Sequence, residues 1–425
     1  MTCLITSTVR PSLPPARAAW PRWTPRSIST RWRLEDIDDL SISVVGDIDQ
    51  IGSDDWNRVA GPANPFVRHE FLRALETQGC LGQTTGWYPR HVLVERDDRL
   101  VGAMPMYIKT NSYGEFVFDW AFADAYERSG LKYYPKLVVA VPFTPATGPR
   151  LLTQPGAENA SEIEEALIAG ALSYAEQEDI SSVHWLFPAA AQQATLREAG
   201  LLERHGYQFH WHNPGFRDFD DFMDCLTHKR RKEIRRERRD VQESGVEIEV
   251  LWGRDTEERH WAAFHDFYCA LYDRKWGFPS LTVDFFNALG ETMPDEALLI
   301  LARNGQRYIA GTYSLCGPTT LFGRNWGCVE QHRGLHFELC YYQHIEIAIQ
   351  RNLLQLEAGA QGEHKLSRGF LPTTTYSAHW FAHPAFHKAV GDFVDSEARD
   401  VRRYVNAAGT HSPFKDGALE QVRAR

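Results

Sequence analysis

The densest run of reactive side chains lies at 357–368, where Glu357, Glu363, His364, Lys365 and Arg368 fall within twelve residues. Two carboxylates and an imidazole can move protons, and two cations can hold an anion. Glu357 closes an apolar run, Leu353-Leu-Gln-Leu-Glu-Ala, and Gly359 and Gly362 make a pliable turn behind it. A second reactive stretch is His228-Lys-Arg-Arg-Lys-Glu-Ile-Arg-Arg-Glu-Arg-Arg239, with eight Lys or Arg against Glu233 and Glu237. With Ile234 its one apolar residue, this stretch buries little of itself. Lys229, Arg230, Arg231, Lys232 and Arg235 therefore make an anion site for phosphates, set against the plainer alternative of a solvated helix face. Metal chemistry is weakly signalled. His379, His383 and His387 recur every four residues, but Pro384 interrupts them, and no His-Glu-x-x-His or paired Cys occurs. Neither a Gly-x-Ser-x-Gly elbow nor a phosphate-binding Walker loop is present, which argues against a serine hydrolase and a P-loop enzyme.

The elements that must position these residues occur twice. Residues 91–107 read as strand, turn at Asp97-Asp98 and strand, with Gly102 early in the second strand; 298–315 repeat this around Asn304-Gly305, with Gly311 in the matching place. Tyr207-Gln-Phe-His210-Trp211 is matched by Tyr376-Ser-Ala-His379-Trp380. Between the paired segments, apolar spacing predicts a helix over 160–178, a strand over 181–187 and a short helix over 190–205. The second half repeats this as a helix over 335–352 and a strand over 353–358. The first copy is longer by about 40 residues, mostly an aromatic and proline-rich insertion at 111–150. A seam at 213–227 divides domains at 35–220 and 221–425. The recurrence of His210-Trp211 as His379-Trp380 points to a structural role for both pairs.

A hairpin followed by strand, helix, strand, helix, strand resembles the GNAT (acyl-CoA N-acyltransferase) fold, and its tandem resembles the FemAB class of aminoacyl transferases. Asn64-Pro-Phe with Phe71-Leu-x-Ala-Leu-Glu76 looks like the opening of a FemAB first domain, and Lys229-Arg-Arg-Lys-Glu-Ile-Arg-Arg like the basic helix opening the second. Pro142-Phe-Thr-Pro-Ala-Thr-Gly-Pro-Arg150, Glu357-Ala-Gly-Ala-Gln-Gly-Glu-His-Lys365 and Tyr376-Ser-Ala-His-Trp380 are similar to the FemAB-like family of predicted N-acyltransferases, labelled peptidoglycan biosynthesis or recognition. The likeness covers about 55–415. It implies an α/β (α+β) chain of two GNAT-like domains, each a mixed, mostly antiparallel sheet flanked by helices.

The resemblance also implies chemistry. Transfer of an acyl or aminoacyl group to an amine needs a base for the ammonium proton, donors at the carbonyl oxygen and an acid for the leaving group. The splayed central strands of a GNAT-like domain face the acyl centre, so Glu357 is expected as the base or the carboxylate that orients the amine, with His364 the alternative base. Tyr376 or Tyr341 would protonate the leaving group. Lys365 and Arg368 would clamp an anion, and Arg324 would line the acyl pocket. Lys136 and Arg150, with Tyr133, Tyr134, Thr144 and Thr147, would bind the acceptor, and Tyr272, Lys275 and Trp276 offer a stacking platform. GNAT enzymes hold the CoA pyrophosphate with small residues at a helix start; here the place reads Gln331-His-Arg-Gly334-Leu-His336, and His336 would crowd or, protonated, contact it. No tightly bound cofactor is expected, and the donor is an aminoacyl-tRNA or an acyl-CoA. The alternatives are an acetyl-CoA-dependent N-acetyltransferase and a non-catalytic protein that recognises a peptidoglycan-type ligand.

Composition sets the outer limits. The 425 residues are 43% hydrophobic and 24% charged, as in a soluble globular chain of two or three domains. No apolar run is long enough to cross a membrane. Seven cysteines, none spaced Cys-x-x-Cys, fit a reducing compartment. Residues 1–34 hold six Arg, five Pro and no acid, which reads as a tail or an organellar transit segment, placing the protein in the cytoplasm or an organelle matrix. The net charge of −10 averages a basic tail and a basic helix with a far more acidic body. The expected partner is accordingly a phosphate-bearing small molecule or a tRNA acceptor end, with peripheral contact to a lipid-linked precursor and no DNA or integral membrane partner.

Overall fold

The computed structural model describes residues 30–33, 39–275, 278–360 and 362–423. The first half contributes strands β1 (Thr30–Arg33), β2 (Leu40–Val45), β3 (Trp87–Pro89), β4 (His91–Arg96), β5 (Arg99–Met104), β6 (Met106–Lys109), β7 (Lys136–Val139), β8 (Leu152–Thr153), β9 (Ser182–Leu186) and β10 (Leu202–His212). The second contributes β11 (Glu247–Trp252), β12 (Ala297–Asn304), β13 (Arg307–Cys316), β14 (Thr320–Cys328), β15 (Gln355–Glu357) and β16 (Leu371–Phe381). Both hairpins form as the turn residues require: Asp97 and Asp98 take φ of 51° and 57°, and Gly305 takes 61°. The helices follow the apolar spacing at Ala160–Gln177 and from Leu335–Phe337 to Gln343–Gln350. The second is interrupted by a π turn at Glu338–Tyr342. Two boundaries differ from expectation. The helix expected to 205 ends at Glu198, because β10 already starts at Leu202 and pairs with β16. Thr30–Arg33, inside the segment set aside as a tail, pairs with β2; the rest of that segment lies outside the described residues.

Two sheets result, one ordered β1-β2-β4-β5-β8 and one of eleven strands ordered β11-β12-β13-β14-β15-β10-β16-β9-β7-β6-β3. Pro105, without an N–H to give, separates β5 from β6 where the run passes from one sheet to the other. The eleven-stranded sheet joins the halves by exchange of their last strands. β10 of the first half pairs with β15 of the second, and β16 of the second pairs with β9 of the first. The repeated Tyr-x-x-His-Trp segments lie on these two strands, which also pair antiparallel with each other over nine positions, Leu202–His210 against His379–Leu371. Each half is a GNAT-like domain, and together they form a tandem.

One core spans the seam. Phe66 and Phe71 of the first half meet Phe322 and Phe285 of the second edge to face, with centroids 5.1 and 5.6 Å apart. All four rings are buried, and each such burial contributes about 1.5–3 kcal/mol. Gly102 shows why its place recurs in the hairpin: a Cβ there would stand 2.3 Å from Ile163 of the packed helix. None of the six cysteines among the described residues is joined in a disulfide. Among the described residues no helix is long and apolar enough to cross a membrane.

Candidate active site

β14 and β15 run parallel over Thr320–Phe322 against Gln355–Glu357 and then part, so Glu357 stands where the two central strands splay. Its side chain is 5% exposed. One carboxylate oxygen accepts from the Thr147 N–H at 3.2 Å, the other from Gln355 Nε2 at 3.1 Å. Burial pushes its pKa up to about 7, against the pull of the Thr147 N–H and of the Arg150 and Arg324 guanidiniums. A carboxylate poised there takes up a proton readily near neutral pH.

The cover over Glu357 comes from the first half. Asn64 Nδ2 donates to the Thr147 carbonyl at 3.1 Å, and Arg324 donates to the Phe143 carbonyl. The Arg324 guanidinium lies 5.5 Å from the Phe66 ring. Three stretches far apart in sequence, 64–66, 142–150 and 357–360, thus converge on one carboxylate. Asn64 and Thr147 escaped assignment as a pair, and nothing local in the sequence signals that they meet. Gly148 is the small residue the convergence needs, since a Cβ there would lie 2.0 Å from Asn64 Nδ2. Gly148→Ala is expected to destabilise the protein by about 1–3 kcal/mol through overpacking, read by thermal or urea melts.

The structure places the other expected site residues as follows. Arg150 is 1% exposed, and its guanidinium donates to the carbonyls of Leu186, Ala146 and Pro149. It stiffens the loop over Glu357, and its burial closes it off from an acceptor. Lys136 is a correction of the same kind: it is fully buried, paired with Glu115 at 2.8 Å and with Asp119, and so is closed off from substrate. Tyr376 is also separated from Glu357. It pairs with His205 while Glu357 pairs with His210, five residues along β10 or about 16 Å.

Around the splay, His336 packs on Trp326, Tyr341 and His364 with centroids 5.2, 5.5 and 5.9 Å apart. His364 is exposed, and its Nε2 lies 2.8 Å from the Tyr341 hydroxyl. Burial, then Arg368 and Lys365, lower its pKa. Lys365 is 2% exposed, donates to the Gly359 carbonyl at 2.7 Å and has its pKa lowered by burial to about 8. Arg368 is held by Glu237 of the basic helix at 2.6 Å and by the Tyr342 hydroxyl at 3.1 Å. Both cations therefore tie the 359–369 segment to its surroundings; a clamp on substrate would have to break these bonds. Tyr272 lies beside Tyr268 at 4.9 Å, while the side chains of Lys275 and Trp276 lie outside the described residues.

The basic run forms the helix His228–Glu243, with Ile234 and Val241 buried. Lys229, Lys232 and Arg235 are exposed, Arg230 pairs with Glu233 and Arg231 with Asp224. Arg235, Arg238 and Arg239 join Arg217 along an open groove of about 690 Å³. A separate cleft of about 440 Å³ lies over β10 and β16. Gln208, Thr375, Ser377 and Tyr376 line it, with Ala360 and Gly362 from the turn behind Glu357. Gln208 donates to the Pro145 carbonyl at 2.9 Å, and its Oε1 lies 3.1 Å from His210 Nε2. Gln355 links His210 to Glu357. The cleft is thus tied by hydrogen bonds to the buried carboxylate.

Two GNAT-like domains in tandem, sharing a sheet and meeting over one splayed-strand carboxylate, define the class of protein. The chain belongs to the FemAB-like family, described as peptidoglycan biosynthesis/recognition, whose model matches residues 47–416. No curated protein matches the sequence. Among solved structures, FemX shares 10% identity at a TM-score of 0.51, covering 80% of this chain and 98% of its own. The C-terminal domain (DUF2156) of a putative lysylphosphatidylglycerol synthetase from Agrobacterium fabrum shares 8% at 0.49, covering 79% and 95%. A tandem GNAT protein of the clavulanic acid biosynthesis pathway shares 13% at 0.42, covering 81% and 99%. At such identities the likeness to FemX speaks for the fold alone.

Proposed function

We propose that the protein transfers an acyl or aminoacyl group to the amine of an acceptor, with a cell-wall precursor as the acceptor class. The observation that carries this is Glu357, a single carboxylate at the strand splay whose burial raises its pKa to about 7. The amine nitrogen attacks the donor carbonyl, Glu357 takes the proton it sheds, and the leaving oxygen or sulfur takes a proton from an acid. Tyr341 supports the acid role. Its hydroxyl is hydrogen-bonded to His364, and burial holds its pKa well above the ordinary value, so it stays protonated at neutral pH. Membership of a family described as peptidoglycan biosynthesis/recognition supports the acceptor class.

The donor reading favours an aminoacyl-tRNA. Exposed Lys229, Lys232 and Arg235 supply cations that phosphates require, Arg235 at the edge of the open groove. The start of the helix at Leu335 is crowded by the His336 ring, which suits a CoA pyrophosphate less well. A thermal-shift panel tests this: aminoacyl-tRNA and a muropeptide precursor should each raise the melting temperature and acetyl-CoA should not. Stabilisation by acetyl-CoA alone would move the protein to the acetyl-CoA-dependent class. Changing Arg230, Arg231 and Arg235 together to Gln should weaken tRNA binding and flatten its dependence on salt by about two to three units of log–log slope. An unchanged slope in filter binding removes the basic helix from the donor site.

A further inference from the structure

The cleft over β10 and β16 has a second centre, independent of Glu357. Ser377 lines the cleft floor, and its Oγ lies 2.9 Å from His379 Nε2. His379 Nδ1 lies 2.7 Å from His184 Nδ1. His184 Nε2 lies 3.0 Å from the Tyr133 hydroxyl and 2.9 Å from the Ser182 hydroxyl. The Tyr133 hydroxyl donates to Asp119 at 2.6 Å. Lys136 pairs with the same carboxylate. Both histidines are fully buried, and desolvation holds them in the neutral form.

The directions of these bonds follow from the fixed end. An ionised carboxylate only accepts, so Tyr133 gives its single proton to Asp119. Its oxygen can then only accept from His184 Nε2–H; the reverse would set two lone pairs against each other. A neutral imidazole carries one N–H, so His184 Nδ1 is bare and His379 Nδ1 carries the proton. That leaves His379 Nε2 bare, facing the Ser377 hydroxyl. The unpaired base is thereby fixed on the side of the cleft. A nucleophile bonded to a base that is oriented by a third group is the arrangement of an activated serine. On β10 the same spacing puts Gln208 beside His210. Packing at the related place is thus satisfied by an amide, and only the β16 copy carries a hydroxyl.

We propose that Ser377 is an activated serine that accepts an acyl group from an oxygen ester or thioester bound in the cleft. Ser377 Oγ attacks the carbonyl carbon while His379 Nε2 takes the hydroxyl proton. The carbon–oxygen or carbon–sulfur bond to the leaving group breaks, and that group leaves with the proton as an alcohol or thiol. The acyl-serine is released when an amine or water attacks the same carbon and Oγ recovers a proton. The Ser377, His379, His184, Tyr133 and Asp119 chain crosses both halves, which explains why strand exchange is needed to build it: β16 brings the serine and base, β9 and the insertion bring the rest.

A fluorophosphonate reagent tests this on the full chain. Attack by Oγ on phosphorus expels fluoride and leaves a stable adduct. One adduct is expected, placed on Ser377 by peptide mass spectrometry and lost in Ser377→Ala. Tyr133→Phe can neither accept from His184 nor donate to Asp119, and should slow labelling at least tenfold in protein shown to be folded by its melt. An absent adduct, or an adduct at another residue, on folded wild-type protein overturns the proposal. So does an unchanged labelling rate in folded Tyr133→Phe. The readout uses no amine acceptor, so its failure leaves the transfer reading at Glu357 untouched.

Discussion

Glu357→Gln is expected to lower turnover by roughly 100-fold or more while leaving the protein folded, because a positioned base contributes about 10²- to 10⁴-fold. The amide keeps the shape and can still accept from the Thr147 N–H, but it cannot take a proton from an ammonium. The wild-type rate should rise with pH through about 7 as the Glu357 carboxyl ionises, and the residual rate of the variant should lack that rise. Stability moves the other way. The folded pKa lies above the ordinary value of 4.5 because burial disfavours the charge. This group's contribution to stability is therefore complete below about 4.5 and is lost as pH rises through about 7. At pH 8 the glutamine variant should be the more stable protein, by on the order of 2 kcal/mol, a gain that should vanish near pH 4. Full turnover by Glu357→Gln would remove Glu357 as the base. Binding of acceptor by the wild type with no transfer from any donor would assign the chain to recognition.

The second large effect is expected at Lys136. Lys136→Met removes the partner of two buried carboxylates, Glu115 and Asp119. Breaking a buried ion group from one side costs about 3–5 kcal/mol, since the remaining charge is stranded without water. Glu115 already has its pKa raised to about 7, chiefly by burial. Without the ammonium, Glu115 should titrate higher still, and Asp119, which Lys136 now holds below the ordinary carboxylate range, should rise, so the folded form should regain stability as pH falls and they protonate. Urea melts should show the loss larger at pH 8 than at pH 6. A variant as stable as the wild type at pH 8 would mean that Lys136 is free for a ligand, as its sequence first suggests.

Glu357 and Lys136 mark the line between what a sequence reveals and what it withholds. The hairpin turns, the two long helices and the doubled order of elements were all legible, because each is set by neighbours within a few residues. Asp97-Asp98 and Asn304-Gly305 make turns by their own backbone preferences. Leu335, Leu339, Tyr342, Ile345 and Ile349 mark a buried helix face by their spacing alone. The early end of the 190–205 helix was not legible, because pairing with β16 overrides local helical preference there.

Among charged residues the limit is sharper. Lys136, Arg150, Lys365 and Arg368 share the residue types of an anion site, yet the fold turns each of them toward an internal acceptor. Whether a cation is free depends on partners such as Glu237, 131 residues before Arg368. Family motifs pointed to the 142–150 and 357–365 stretches, but not to their contact through Thr147 and Glu357, 210 residues apart.

The sequence by itself determined the elements, their twofold repetition, the apolar faces and the carboxylate at the end of a central strand, all encoded by local sterics and periodicity. Only the tertiary structure decided that the last strands change places, that one half roofs the other's carboxylate, and that the Ser377–His379 pair meets His184 of the other half. Those outcomes rest on long-range pairing and burial, which fix each polar group's partners and hence its charge and proton, and no local pattern records them.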